Sequence, residues 1–248
     1  MKFAFGATEI TVNIADRAAL LAEVSARLAR RQGFALATIN LDHLVKLRQS
    51  ATFRSAYAAQ DLVVADGNPI VWLSRLAGRP VALVPVSDMV LPLAGAAAAA
   101  GVKVALVGAT EATLAAAAKV LTARVPGLTI GLTHAPAMGF DPEGAEAAAI
   151  LADLARQQIG LCFLALGAPR QEALAARGRR LAPDTGFASI GAGLDFLAGS
   201  QARAPLWLRR LALEWLWRAL SSPRRLVPRY AACAAILPGQ VVAALRQR

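Results

Sequence analysis

The sequence predicts an α/β fold, in which a Rossmann-like, doubly wound and mostly parallel sheet precedes a helical, basic appendage. Short apolar segments alternate with helical patterns as far as Gly199. The segment Ile159–Leu166 is apolar throughout, as expected for a central parallel strand that is buried on both faces. Beyond Gly199 the alternation gives way to arginine-rich helical sequence. We therefore divide the chain into a Rossmann-like domain, residues 1–200, and an appendage, residues 201–248.

Local signals predict each element in chain order. Glu9–Ile14 has an extended pattern, Asp16 can cap the first helix, and Gly33 can end it. Helices are predicted over Arg17–Arg31, over Glu111–Arg124 after the turn at Gly108, and from Asp141-Pro142 toward Gln157. The other strands are predicted at Phe34–Ile39, Leu62–Ala65, Lys103–Val107, Leu128–Leu132 and Phe187–Ile190.

The charge of the chain is concentrated at its C-terminal end. The 248 residues carry a formal net charge of +11, and residues 201–248 contain nine arginines, no lysine and a single acid, Glu214. Leucines and tryptophans are interleaved with these arginines. Because a planar guanidinium binds phosphate oxygens through two hydrogen bonds, the appendage indicates a membrane surface, a diphosphate, or both.

The hydrophobic content of 56% is high, but the sequence does not predict a membrane-spanning helix. The run Leu91–Gly101 contains proline and glycine, and Pro238-Gly239 interrupts the apolar run Ala231–Leu245. The N-terminus lacks the apolar core of a secretion signal. Cys162 and Cys233 lie far apart, so a cytosolic chain with unpaired thiols is the simplest interpretation.

Polar residues and glycines follow the predicted strands, where open α/β sheets bind their ligands. These positions are Thr38 and Asn40, Asp66 and Gly67, Gly108, Gly167–Gln171, and Gly191–Asp195 with Gly193. Asp66 is either a general base or a helix cap, and Asn40 either contacts a substrate or closes an Asx-turn. The loops at Gly167 and Gly191 either bind a nucleotide through free N–H groups or are ordinary strand-to-helix turns.

The sequence lacks the residues that several kinds of cofactor site require. The two histidines, His43 and His134, have no cysteine or histidine partner at metal-ligand spacing, so no zinc site is predicted. The sequence contains neither an Asp-x-Asp pair nor a P-loop, and Gly191–Asp195 lacks the full G-x-G-x-x-G spacing of a dinucleotide site. We predict no metal and no cofactor. An enzyme of nucleotide sugars built this way would use cationic side chains to stabilise the leaving diphosphate, and the C-terminal arginines could supply them.

Six segments follow one another in a characteristic order along nearly the whole chain. They are Thr38–Asn40, Ala65–Gly67 with Val71-Trp72, Gly167–Glu172, Gly191–Gly199, Arg203–Pro205, and the run from Leu213 to Tyr230. Together they resemble the WecG/TagA/CpsF glycosyltransferases (glycosyltransferase family 26). This family transfers a sugar from a UDP-sugar to a lipid-diphosphate-linked acceptor at the cytoplasmic membrane face. It does so with inversion and without a metal, in the synthesis of bacterial surface polysaccharides.

The resemblance implies a role for each matching residue. Asp66 would be the base that deprotonates the acceptor hydroxyl, and Thr38 and Asn40 would line the sugar site beside it. Gln171 and the Gly191–Asp195 loop would hold the donor nucleotide. The arginines that would fold over the pocket and neutralise the diphosphate are Arg218, Arg225 and Arg229. The tryptophans Trp207, Trp215 and Trp217 would contact lipid, or else pack against the domain.

The same resemblance implies the partners and the location. The donor would be UDP-N-acetylmannosamine, its uronic acid or UDP-glucose, and the acceptor a polyprenyl-diphosphate-linked saccharide. The protein would be cytoplasmic and peripheral on the inner face of the membrane, bound to its anionic surface. No nucleic-acid partner is expected, and formation of a homo-oligomer stays open.

Two departures from the family pattern leave room for other functions. Relatives carry an arginine where Val81–Asp88 has none, and Arg79 is the nearest. Pro228 replaces a basic residue, which predicts an earlier end of the helix there. A catalytically inactive membrane scaffold is one alternative. A nucleic-acid-binding protein that uses the arginines and tryptophans for phosphate contacts and stacking is another.

Overall fold

A single six-stranded parallel sheet organises the protein. The computed structural model describes residues 1–201 and 223–248. A separate antiparallel hairpin comes first, formed by β1 (Lys2–Phe5) and β2 (Thr8–Thr11). The strands of the main sheet are β3 (Phe34–Ile39), β4 (Leu62–Ala65), β5 (Lys103–Gly108), β6 (Ile130–His134), β7 (Ile159–Ala165) and β8 (Gly186–Ser189). Their order across the sheet is β4-β3-β8-β7-β5-β6, and every neighbouring pair is parallel.

Helices connect the strands and cover both faces of the sheet, as the doubly wound prediction requires. In chain order they are α1 (Arg17–Ala29), α2 (Leu41–Gln49), α3 (Ala51–Ala58), α4 (Asn68–Leu76), α5 (Val86–Ala99), α6 (Glu111–Arg124), α7 (Ala145–Arg156), α8 (Arg170–Leu181) and α9 (Gly193–Ala198). A last helix, called the C-terminal helix here, spans Pro223–Leu245.

The two faces of the sheet bury alternate residues of each strand. Phe34 and Leu36 of β3 pack with buried residues of α1, α5, α6 and α9. Ala37 and Ile39 point to the opposite face and pack with α2, α3, α4 and the N-terminal hairpin. Further along that opposite face, strands β5, β7 and β8 pack against α7 and α8. Because both faces are covered, the strands are apolar at nearly every position and their polar residues fall at the ends.

Most predicted elements are confirmed, several with the same bounds. The strands β3 and β4 and the helix α6 begin and end where the sequence predicted. Asp16 caps α1, since its side chain accepts a hydrogen bond from the Ala19 N–H. The strand predicted at Leu128–Leu132 lies two residues later, because the turn at Gly127 still includes Leu128, whose N–H donates to the Val125 carbonyl at 3.2 Å.

The earlier helix end predicted at Pro228 is wrong, and Pro238-Gly239 does not interrupt the helix either. One helix runs through both positions from Pro223 to Leu245. Each internal proline removes a backbone hydrogen bond. Ile236, Leu237 and Val241, however, pack the helix against the cluster that holds α2 and α4, which favours its continuation.

The C-terminal helix is also long and apolar enough to cross a membrane. Its segment Leu226–Leu245 has a mean hydropathy of 1.3, and most of it is not buried. In the structure the chain beyond it returns to the hairpin, where the Gln247 side chain exchanges two hydrogen bonds with the Lys2 backbone. The prediction of two domains divided after residue 200 stays a prediction.

We expect Gly108→Ala to destabilise the protein by about 3 kcal/mol. Gly108 has a φ of +112°, and an added Cβ would lie 2.5 Å from the backbone of Ala165. Gly101→Ala is the matched control, since Gly101 also has a positive φ of +61° but has open space around it. That control should lose only about 1 kcal/mol. Urea unfolding of both variants measures the difference; equal losses would contradict the backbone clash.

Candidate active site

The carboxyl ends of β3 and β4 bring Asn40 and Asp66 next to each other. In the parallel register Ile39 lies opposite Ala65, and the Asp66 N–H donates to the Ile39 carbonyl at 2.8 Å. Asn40 and Asp66 are both half-buried. Gly67, with a φ of +132°, turns the chain into α4, and a Cβ there would lie 3.6 Å from the Asn40 Cβ. The turn therefore places Asp66 and Gly67 beside Asn40 at this edge of the sheet.

Asn40 is the N-cap of α2. Its Oδ1 accepts a hydrogen bond from the His43 N–H at 3.0 Å, a capping role that the sequence did not predict for Asn40. In the described part of the chain its Nδ2 group makes no hydrogen bond. A side chain fixed through its oxygen presents its two N–H donors in a defined direction. Asn40 can thus serve as both a cap and a ligand donor.

Beneath these residues, the Thr38 carbonyl anchors a buried polar cluster. It accepts hydrogen bonds from the Tyr57 hydroxyl and from His43 Nδ1, the latter at 2.6 Å. Burial lowers the pKa of His43 to about 4, so the ring is neutral with its proton on Nδ1. Burial, together with the nearby carboxylates of Glu172 and Asp66, raises the pKa of Tyr57. Tyr57 therefore lies close to both acids.

Gln171 joins two loops at the neighbouring strand ends. It is 3% exposed, its Oε1 accepts from the Gly191 N–H at 3.2 Å, and its Nε2 donates to Glu172 Oε1 at 2.8 Å. Gly167, with a φ of +70°, opens the turn that leads into α8. Since β7 and β8 are adjacent, the Gly167 and Gly191 loops lie side by side at the same edge as Asp66.

Gly108 and Gly193 contribute through close packing. The tight approach of Gly108 to β7 is completed by a hydrogen bond from the Ala109 N–H to the Ala165 carbonyl at 3.1 Å. Gly193 is buried against Val90 and Ile190. Both glycines pack closely against neighbouring residues at this edge of the sheet. Their assignment to the donor nucleotide stays a prediction.

Asp195 lies in the first turn of the short helix α9. Its Oδ1 accepts a hydrogen bond from the Ser200 hydroxyl at 3.2 Å, and its backbone carbonyl accepts from the Ser200 N–H. These contacts fix the loop that closes α9 at Gly199, which has a φ of +73°. The predicted contact of Asp195 with a nucleotide stays a prediction.

Arg229 lies in an ion-pair cluster between the C-terminal helix and α2. Its Nε is 2.7 Å from Asp42 Oδ1, and the Lys46 ammonium is 2.9 Å from the other oxygen of that carboxylate. Lys46 also donates to the Ala168 carbonyl at 3.2 Å. The cluster thus ties the C-terminal helix to the loop that follows Gly167. Whether Arg229 also contacts a diphosphate, as the resemblance implied, stays a prediction.

Several predicted residues lie outside the described part of the chain. Arg218 and the tryptophans Trp207, Trp215 and Trp217 fall within 202–222, and the side chain of Arg225 is likewise outside the description. Within the described ranges, no group of three or more His, Cys, Asp or Glu side chains could hold a metal ion. The absence of a metal from the reaction stays a prediction.

Sequence reasoning overlooked the residues under the site. Glu172 is fully buried. The Thr38 carbonyl near the end of β3 accepts hydrogen bonds from His43 and Tyr57, and the Ala168 carbonyl after β7 accepts one from Lys46. Two signals were available. Glu172 is an acid next to Gln171 in the loop motif, and Lys46 follows Asp42 by one helical turn.

A doubly wound sheet with a carboxylate, an amide and two glycine loops at its carboxyl edge defines an α/β enzyme that binds its substrates at that edge. The sequence matches the model of the Glycosyl transferase WecG/TagA/CpsF family over residues 7–248. The chain belongs to this family and is a glycosyltransferase.

Two relatives share the same name, N-acetylglucosaminyldiphosphoundecaprenol N-acetyl-beta-D-mannosaminyltransferase. The protein of Bacillus spizizenii (strain W23) is 25% identical over 200 residues, which cover 80% of this chain and 75% of that protein. The protein of Bacillus subtilis (strain 168) is 36% identical over 83 residues, 32% of each chain. That match thus spans about a third of the Bacillus subtilis relative.

Two buried groups under the site give opposite pH dependences of stability. His43 stays neutral down to its lowered pKa of about 4, while the unfolded chain protonates it near pH 6.5, so stability is lost as pH falls through this window. Burial raises the pKa of Glu172 to about 7, above the 4.5 of the unfolded chain, so stability is lost as pH rises between these values. Between pH 4.5 and 6.5 the two contributions oppose each other.

Replacing one group should expose the pH dependence of the other. Relative to the native protein, we expect the unfolding free energy of Glu172→Gln to rise with pH across this window by about 1.4 kcal/mol per pH unit. His43→Gln should show a fall of similar size. Urea unfolding at half-unit pH intervals measures both slopes. Profiles parallel to that of the native protein would show that the two groups do not titrate as described.

Proposed function

We propose that the protein transfers N-acetylmannosamine from UDP-N-acetylmannosamine to an N-acetylglucosaminyl-diphospho-polyprenol, with inversion and without a metal. The proposal rests on the placement of Asp66 next to Asn40 at one edge of the sheet. The contact between Gln171 and Gly191 lies at the same edge. The name of both relatives favours N-acetylmannosamine over its uronic acid or glucose as the donor sugar, and N-acetylglucosamine on a diphosphate lipid as the acceptor. The product would serve in cell-envelope polysaccharide synthesis.

Asp66 acts as the general base in this proposal. The acceptor hydroxyl oxygen attacks C1 of the donor sugar, its proton passes to the Asp66 carboxylate, and the bond from C1 to the diphosphate oxygen breaks. UDP leaves with the electron pair of that bond. Asp66 is half-buried at a strand end, where its backbone N–H donates to the Ile39 carbonyl, and this position suits a base.

The donor binds across the neighbouring loops. The turn at Gly167 leads into α8, whose first N–H groups and positive dipole end favour a diphosphate. Gln171 holds the Gly191 loop beside it, where backbone groups can contact the nucleotide. Charge on the leaving UDP is neutralised by arginines of the appendage, Arg218 and Arg225, as the family resemblance implied.

Inversion and metal independence are parts of the same proposal, and each has its own support. UDP-sugars of this type carry an α-linked sugar, and the relatives are named for a β-linked product, so a single displacement with inversion accounts for both. A cationic clamp on the diphosphate replaces the metal ion that many nucleotide-sugar enzymes use. Arg218 and Arg225, which are two of the nine arginines of residues 201–248, would provide that positive charge.

The protein would bind peripherally to the inner face of the cytoplasmic membrane, where its lipid-linked acceptor lies. Val227 and Leu245 are 18 residues apart in the C-terminal helix, which is five full turns, so they lie on one face. Val227 is 54% exposed, and Val242 and Leu245 are each 49% exposed. An exposed apolar stripe next to arginines suits contact with an anionic lipid surface.

Asp66→Asn tests the assigned base. We expect the variant to fold, to bind UDP within threefold of the native affinity, and to lose about 10²–10⁴-fold in kcat. Asp16→Asn is the control, because asparagine also caps a helix and Asp16 caps α1. Turnover is followed as UDP release from UDP-N-acetylmannosamine with a GlcNAc-diphospholipid. Full activity of a folded Asp66→Asn protein would remove Asp66 from the mechanism.

Vesicle binding tests the lipid-facing stripe. The native protein should sediment with phosphatidylglycerol vesicles, less so at 0.5 M salt and hardly with phosphatidylcholine, because arginine–lipid attraction is screened. The double variant Val227→Glu/Val242→Glu should bind about tenfold more weakly, while Leu181→Glu, an exposed leucine on α8, should bind normally. Equal binding of the two variants would show that the C-terminal helix does not face the membrane.

A further inference from the structure

The carboxyl group of Glu172 is buried next to Gln171 of the candidate site. Its side chain is fully buried in the first turn of α8. Gln171 Nε2 donates to its Oε1 at 2.8 Å, and its Oε2 has no hydrogen-bond partner in the described part of the structure. Burying an acid is costly, so this position calls for a reason beyond packing.

The geometry of the Gln171 amide supplies that reason. An amide has an acceptor on one side and two donors on the other, and its two ends are interchangeable in shape. The Gly191 N–H can only donate, so it must face Oε1, at 3.2 Å. Glu172 presents an acceptor oxygen to the other end. Both contacts require the same orientation of the Gln171 amide plane. They therefore also fix the direction of the second Nε2–H bond.

The fixed amide connects two loops that the chain brings together from distant parts. Gln171 follows β7, and Gly191 follows β8, and the Gln60 side chain of the loop after α3 donates to the Glu172 carbonyl at 3.0 Å. The start of α8 is therefore held from behind by α3 and from the front by the Gly191 loop. A shift of Gln171 would move the Gly191 N–H and the nucleotide-binding backbone with it.

We infer that Glu172 is a positioning residue, which orients the Gln171 amide and thereby holds the Gly191 loop in the conformation that binds the uridine diphosphate of the donor. This inference rests on the function proposed above. Glu172 touches neither substrate and takes no part in proton transfer. Its effect is on donor binding, through Gln171 alone.

The test compares Glu172→Met with Glu172→Gln. Methionine fills a similar volume but offers no comparable acceptor, whereas the glutamine carbonyl can still accept from Gln171 Nε2. We expect Glu172→Met to weaken UDP binding about five- to tenfold by calorimetry, and Glu172→Gln to stay within twofold. In a Gln171→Ala background, Glu172→Met should have no further effect, because its route to the site is gone.

Hydrogen exchange at the Gly191 amide gives a readout that needs no ligand. Exchange there should accelerate about tenfold in Glu172→Met, while the amides of β5 keep their native rates. If Glu172→Met does not fold, Gln171→Leu must accelerate Gly191 in the same way. Native rates at Gly191, or effects of the two substitutions that simply add, would overturn the inference. Absence of UDP binding by the native protein would instead refute the proposed function, since the exchange result stands without it.

Discussion

The parallel pairing of β3 with β4 on one side and β8 on the other is the constraint on which the site depends. It sets Ile39 opposite Ala65 and Leu36 opposite Ala188, so the chain segments that leave these three strands emerge side by side. A slip of one residue would turn the apolar side chains of β3 from one covered face to the other. Because both faces are packed with helices, that slip is strongly disfavoured, and the positions of Asn40, Asp66 and Gly191 follow from the register.

The polar residues beneath the strand ends come at a cost to stability that the rest of the core must offset. Glu172 is buried as an acid with a pKa raised to about 7, and His43 as a neutral ring with a pKa lowered to about 4. Both take part in hydrogen bonds that fix backbone or amide groups of the site, namely the Thr38 carbonyl and the Gln171 side chain. Buried polar groups that are satisfied in one geometry only make that geometry rigid, which suits a site that must hold a donor and an acceptor together.

Much of the fold follows from the sequence, and less of the site does. The apolar strands and their polar ends are local patterns, so β3, β4 and α6 could be predicted with their bounds. The order of strands is a long-range property, and nothing in the sequence shows that β8 lies between β3 and β7. Glu172 is buried because α3 packs on α8, which local patterns do not reveal. The C-terminal helix continues through Pro238 because tertiary packing outweighs a local helix-breaking signal.

A panel of UDP-sugar donors tests the proposed reaction. The protein is incubated with a GlcNAc-diphospho-polyprenol and, separately, with UDP-N-acetylmannosamine, UDP-N-acetylmannosaminuronic acid and UDP-glucose, all with EDTA present. UDP release is followed, and the anomeric configuration of the product is determined by NMR. We expect release with UDP-N-acetylmannosamine and a β-linked product. Three results would contradict the proposed function. They are release that stops with EDTA, a product with retained configuration, and no release from any donor by a protein that binds UDP.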